Sequence, residues 1–197
     1  MKYYVVKYTG PFGFIKPWTA VRDEEVYSQQ FLTPSMVSGI EKKLFPELIN
    51  REWDIYKVVG HRLTYKLISR QQEQTQPRGW NSKGRGTNKT FERPKAILTR
   101  GVFVNPTLHL AFTDKRDAQI AFTQHICLAR NEDILYPDKI IETSKEEFET
   151  NTERFRGFEL VFEKNKKSFL VGYNRYNDFA KMYGWLRVLG NPVKTVF

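Results

Sequence analysis

The apolar positions of this chain change period several times, and each change marks an element. Residues 2–8 are rich in tyrosine and valine and predict a buried first strand. Gly10, Pro11, Gly13 and Pro17 then force a loop, whose Phe12, Phe14, Ile15 and Trp18 are expected to tuck against the body. A helix is predicted to open at Thr33 or Ser35: Thr33 can cap, and Pro34 suits a first turn in which its missing N–H has no partner to lose. Met36, Ile40 and Leu44 share one face at four-residue spacing, Ser38 and Gly39 permit close contact with a neighbouring backbone, and Pro46 stops the helix. From 53 to 69 the pattern turns to strand, with Leu63, Tyr65 and Leu67 alternating with Arg62, Thr64 and Lys66. A long polar excursion follows. Strand character resumes over 96–112, interrupted at Pro106. The two flanks are expected to pair as an extended hairpin with the excursion at its tip.

Residues 114–124 predict a second helix, with Asp114 near its cap and Ala118, Ala121 and Phe122 inward. A short buried strand is expected over 125–129 and a charged, exposed stretch over 142–156. A hairpin of 157–163 with 167–173 turns at Lys164-Asn165-Lys166, and a final helix over 176–189 places Phe179, Met182, Tyr183 and Leu186 on one face. There is no internal repeat and no linker between two folded units. The expectation is an α+β, ferredoxin-like or RRM-like sheet packed on helices, with a long basic hairpin inserted and a small C-terminal hairpin plus helix. Residues 1–140 form the main domain, and 141–197 an extension packed on it.

With 197 residues, 40% of them hydrophobic, the chain can bury a core without staples. The single cysteine, Cys127, allows no intrachain disulfide, and His61, His109 and His125 are too scattered for a structural zinc site. Neither a metal nor an organic cofactor is expected: Asp114, Asp117, Glu132 and Asp133 read as caps and solvated surface, and the glycines of 79–86 lack the strand–helix context of a nucleotide loop. The N-terminal apolar run is short and interrupted by Lys7, unlike a signal peptide, and no apolar stretch is long enough to span a membrane. A soluble, cytoplasmic protein without a membrane partner is the expectation.

The net charge of +10 changes the picture through its distribution. Residues 70–100 hold Arg70, Arg78, Lys83, Arg85, Lys89, Arg93, Lys95 and Arg100 against Glu73 and Glu92, so this one excursion carries +6. A segment of that composition cannot bury enough apolar surface to pack as core, and its charge attracts a polyanion. Trp80 and Phe91 lie within it and offer faces on which unpaired bases stack. The excursion is expected to grip nucleic acid, single-stranded RNA first.

Four features together resemble the CRISPR-associated family five proteins, the RAMP subunits that hold the 5′ handle of crRNA in Cascade-type effector complexes. They are the loop Gly10-Pro11-Phe12-Gly13-Phe14, the Thr33-Pro34-Ser35 turn opening the first helix, the basic excursion where that family inserts its thumb, and the stretch from Cys127 to Ile134, CLARNEDI, like the family's Leu-Gly-Arg-x-Glu-Asp. Ala129 stands where the family more often has glycine, and nothing after Asp138 matches. The resemblance implies a subunit that caps the crRNA handle, contacts backbone and large subunits, and meets target DNA indirectly. It implies a thumb at about 70–94, with Arg78, Lys83, Arg85, Lys89 and Arg93 on RNA and Trp80 stacked on a base. Lys66, Arg70, Lys95 and Arg100 extend the basic track, and Phe14 and Ser35 receive splayed nucleotides. Some family members also cut precursor crRNA without metal, which needs a base and a cation at the scissile phosphate. His61, Tyr65, Lys66, His109 and Tyr27 are the possible actors, and a histidine at a sheet edge is the simpler reading of both His61 and His109. No C-terminal glycine-rich loop of the dedicated processing endonucleases is present. Binding without turnover is preferred over this enzyme reading and over a stand-alone RRM-like nucleic-acid-binding module. The aromatics Tyr173, Tyr176, Phe179, Tyr183 and Trp185 are assigned to core packing by their helical spacing.

Overall fold

The computed structural model describes residues 1–17, 24–51, 54–76, 79–128 and 130–193. In chain order the elements are β1 (Lys2–Thr9), β2 (Phe12–Gly13), β3 (Glu25–Tyr27), α1 (Pro34–Leu44), β4 (Val58–Thr64), β5 (Leu67–Thr75), β6 (Asn81–Lys83), β7 (Thr90–Glu92) and β8 (Ala96–Val104). They continue with β9 (Thr107–Phe112), α2 (Lys115–Phe122), β10 (Ile126–Cys127), β11 (Ile134–Ser144), α3 (Lys145–Thr150), β12 (Gly157–Val161), β13 (Phe169–Asn174) and β14 (Ala180–Leu189).

Because β1 carries apolar side chains on both faces, it lies inside a sheet covered on both sides. That sheet has eight strands in the order β10-β11-β1-β9-β4-β12-β14-β13. β1 pairs antiparallel with β9 and β11, and β9 antiparallel with β4. On one face Val6, Tyr8, Leu63, Leu108, Leu110 and Phe112 meet Val37, Ile40 and Leu44 of α1 and Ala118 and Ala121 of α2. Asp114 caps α2 by accepting from the Arg116 N–H at 2.8 Å. On the opposite face Tyr3, Val5, Ala111 and Ile141 lie under Phe148 of α3 and Phe155. Glu41 of α1 is fully buried, and its carboxylate accepts from the backbone N–H groups of Tyr56, Lys57 and Val58. This fixes the approach of the chain into β4. Among the described residues no helix is long and apolar enough to cross a membrane.

The structure corrects several expectations. The final helix is a strand: β14 runs through the middle of the C-terminal sheet region, pairing with β12 on one side and β13 on the other. Gly184 and the aromatic, β-branched content of 182–189 favour the pleated form. A Cβ on Gly184 would lie 3.0 Å from the Val161 carbonyl oxygen, so glycine lets β14 close on β12. β14 therefore separates the two segments expected to pair as a hairpin. Residues 142–156 are not a uniformly exposed stretch, because they hold the end of β11, α3 and the buried Phe148 and Phe155. Gly39 makes no close contact, since a Cβ there would meet nothing within 4 Å. Phe12 is exposed, whereas Phe14 and Ile15 are buried as expected, and Trp18 lies outside the described residues.

Candidate nucleic-acid interface

The polar excursion is ordered at its root and presented at its tip. β5 pairs with β8 along nine residues, from Leu67 opposite Val104 to Thr75 opposite Ala96. β5 thus carries strand structure well into the segment read as a polar excursion, because the ladder to β8 satisfies its backbone whatever its side chains. Beyond it, β6 and β7 pair as a small ribbon, Asn81 opposite Glu92 and Lys83 opposite Thr90. Every residue from Gly79 to Arg93 is exposed.

The expected cations divide into two groups. At the tip, Lys83 pairs with Glu92 at 3.0 Å, while Arg85, Lys89, Arg93 and Lys95 are in no ion pair among the described residues, Lys95 acting on Glu92 only through its field. The Arg93 guanidinium lies 4.7 Å from the Trp80 ring centroid and the Lys89 ammonium 5.5 Å from that of Phe91. Trp80 and Phe91 are 60% and 61% exposed, so each ring keeps a free face beside a cation. Arg78 lies outside the described residues.

At the root the cations are engaged with the body. Arg70 donates from Nε to the Tyr27 hydroxyl at 2.8 Å and pairs with Glu25 at 2.8 Å; these bonds hold its guanidinium above its ordinary pKa. Arg100 pairs with Glu73 across the hairpin. Arg130 makes a two-pronged contact with the buried Asp133, at 2.8 and 2.9 Å, and that hydrogen bonding raises its pKa. The stretch that resembles a family motif thus has a plain structural role, turning the chain and aiming Arg130 at the hairpin root. Ala129 itself lies outside the described residues. Lys66, at the junction of β4 and β5, is exposed and has no ion pair among the described residues.

Phe14 does not serve as a stacking surface. It is 1% exposed, with the guanidinium groups of Arg100 and Arg130 5.2 and 5.4 Å from its centroid. The apolar loop 11–15 buries it under the hairpin root, so it props the arginines and leaves a base no access. Ser35 sits in the first turn of α1, its hydroxyl 3.0 Å from that of Thr33. It lines a cleft of about 620 Å³ with Tyr173, Arg175, Tyr176 and Phe179.

Those aromatics are exposed, not core: Tyr173 by 48%, Tyr176 by 77% and Phe179 by 64%. Asp178 and Phe179 adopt φ of 42° and 54° at the β13–β14 turn, an unfavourable conformation for a phenylalanine that turns it outward. The Asn174-to-Asp178 composition signals this turn in the sequence, but the helical spacing of the rings masks it.

His61 and His109 are not at a sheet edge. Both are buried in central strands, and β9 pairs His61 with Leu110 and Arg62 with His109, so the two histidines face opposite sides of the sheet. Burial lowers the His61 pKa to about 3 and that of His109 to about 4, with neighbouring cations adding to each. Tyr65 is stacked on Phe103 in the core, and Tyr27 is held by Glu25 and Arg70. The five possible catalytic groups thus form no shared site.

No family model and no curated protein matches the sequence. In structure the chain is similar to a chain of a solved assembly described as a CRISPR RNA-guided surveillance complex, with a TM-score of 0.53 and 11% identity over 97% of this chain and 90% of that one. At that identity the likeness is one of fold: nearly the whole chain shares the α+β architecture of a surveillance-complex chain.

Proposed function

We propose that this chain is a non-catalytic crRNA-binding subunit of a class 1 CRISPR effector complex. In this reading the β5–β8 hairpin is the thumb, the bound ligand is the 5′ handle of the guide RNA, and the backbone and large subunits are the protein neighbours. Target DNA is met indirectly. One observation carries the reading: an exposed hairpin tip on which Arg85, Lys89, Arg93 and Lys95 are in no ion pair among the described residues and Trp80 and Phe91 keep open faces. Unneutralised cations bind phosphate with release of counterions, and open rings stack unpaired bases. The likeness to a surveillance-complex chain supports the setting. The order β11-β1-β9-β4, with α1 and α2 on one face, is that of a split βαβ pair and supports a ferredoxin-like RAMP domain. The cleft of Ser35, Arg175, Tyr176 and Phe179 gives a second place for splayed nucleotides. The separated, proton-poor histidines favour binding over crRNA cleavage.

The test is binding of the purified chain to single-stranded RNA across a salt series. Replacing Lys83, Arg85, Lys89 and Arg93 by alanine is expected to lower the log–log salt slope by roughly 0.7 per lost phosphate contact and to leave the Tm unchanged. Equal binding by this variant would exclude the hairpin as the grip. Metal-independent cleavage of a precursor RNA in EDTA, lost on substitution of His61 or His109, would overturn the non-catalytic assignment.

A further inference from the structure

The sheet face opposite α1 and α2 carries a row of basic residues. By register, Lys139 of β11 stands beside Lys7 of β1, Lys7 beside His109 of β9, and His109 beside Arg62 of β4. Like charges on adjacent strands are unfavourable, so the row needs a compensating partner. Arg62 has one in Glu159, and Lys7 has one in Asp138 at 2.6 Å. Lys139 is in no ion pair among the described residues, though its charge, after the Lys7 hydrogen bond, helps hold the Asp138 carboxyl below its ordinary pKa. Beyond the row lies a cavity of about 540 Å³, lined also by Thr64, Thr107, Arg154 and Arg156. Arg156 likewise lacks a carboxylate partner among the described residues, whereas Arg154 pairs with Glu147 at 2.6 Å. Two acids line the cavity. Glu142 is taken up by Lys2 and Lys115, and Glu153 lies exposed. At its floor His109 is 5% exposed, and its Nδ1 is buried without a hydrogen-bond partner. A buried polar nitrogen left unpaired is costly unless a ligand completes it.

We propose that this cavity is a second phosphate-binding site, distinct from the hairpin tip, that takes the phosphodiester backbone of a nucleic-acid strand. Lys139 and Arg156 supply charge, the neutral His109 donates from Nδ1, and the Thr107 hydroxyl offers a further donor. Its place explains the occupant: Thr64 closes β4 and Thr107 opens β9, where the chain enters and leaves the β5–β8 hairpin, and Thr64 is two residues from the exposed Lys66. A strand held at the hairpin can pass the root and reach this face. The nucleic-acid identity of the ligand rests on the function proposed above, whereas the phosphate chemistry does not.

The test follows the histidine ring resonances of the full chain by NMR, at matched ionic strength, during titration with inorganic phosphate and separately with a short single-stranded RNA lacking terminal phosphates. Both are expected to shift His109 saturably and to leave His61 in place. K139A/R156A should weaken the response by about a hundredfold, the low end for losing two charge-assisted hydrogen bonds, and E153Q should strengthen it. A response to inorganic phosphate alone would overturn the nucleic-acid assignment and leave a small-phosphate site. A response to neither ligand, or equal responses in wild type and K139A/R156A with an unchanged Tm, would overturn the site. The tip variant K83A/R85A/K89A/R93A should retain the phosphate response, so a failure of the hairpin reading is separable from a failure here.

Discussion

At the scale of single residues, the two buried histidines make the chain sensitive to mild acid. Their folded pKa values of about 3 and about 4 lie below the ordinary value near 6.5. Between those limits the unfolded chain binds protons that the folded chain refuses. Their contribution is therefore complete above about pH 6.5 and is lost as pH falls. Two such groups should remove on the order of 3 kcal/mol between pH 6.5 and pH 5, above the range where most carboxylates titrate. Denaturant unfolding at these two pH values measures it, and equal stabilities would contradict the burial of both rings. Charge counting over 70–100 could find the cations but could not show which of them are spent. Arg70 and Arg100 are tied to Glu25 and Glu73, while Arg85 and Lys95 remain free of such pairs among the described residues.

At the scale of elements, the hairpin root depends on a glycine. β3 runs parallel to β8, and a Cβ on Gly101 would lie 2.2 Å from a Tyr27 ring carbon. Glycine thus lets Tyr27 lie flat on β8 and hold Arg70. Gly101→Val is expected to expel Tyr27, destabilise the chain by roughly 1–3 kcal/mol as overpacking does, and weaken RNA binding by loosening the hairpin's aim. Tyr27 fluorescence or hydrogen exchange at 25–27 reads the displacement, and unchanged protection there would refute it. A second element-scale lesson comes from β14. Phe179, Met182, Tyr183 and Leu186 fit a helical face, yet they belong to a turn and a strand, because short aromatic segments satisfy both periods and only an available strand partner decides between them.

For the whole molecule, one buried ion pair joins the C-terminal strands to the main sheet. Arg62 of β4 is fully buried, pairs with Glu159 of β12 and lies 4.6 Å from the Phe148 centroid, while Arg187 of β14 approaches the same carboxylate at 3.4 Å. The register records one β4–β12 pair, Phe158 opposite Leu63, and Glu159 also accepts from the His61 backbone N–H at 3.2 Å, so this carboxylate ties the two strands together beside the ladder. Glu159→Gln leaves Arg62 buried without its counter-charge and should cost about 3–5 kcal/mol. Loss of a cooperative transition in β12–β14 ahead of the main sheet would show it in hydrogen exchange, and a variant as stable as wild type would exclude the fastening role.

The sequence by itself determined what depends on neighbours in the chain. The Thr33-Pro34 start of α1, the Asp114 cap of α2, the Tyr/Val strand β1 and the break at Pro106 follow from local propensity and period. So does the presence of a polar, cationic excursion that cannot enter a core. Tertiary structure decided what depends on distant partners: the insertion of β14 between β12 and β13, the burial of Phe14 beneath two arginines, the exposure of Tyr176 and Phe179, and the row of Lys139, Lys7 and His109. Most of these depend on contacts between residues far apart in the chain, and on strand pairing whose register no local pattern contains.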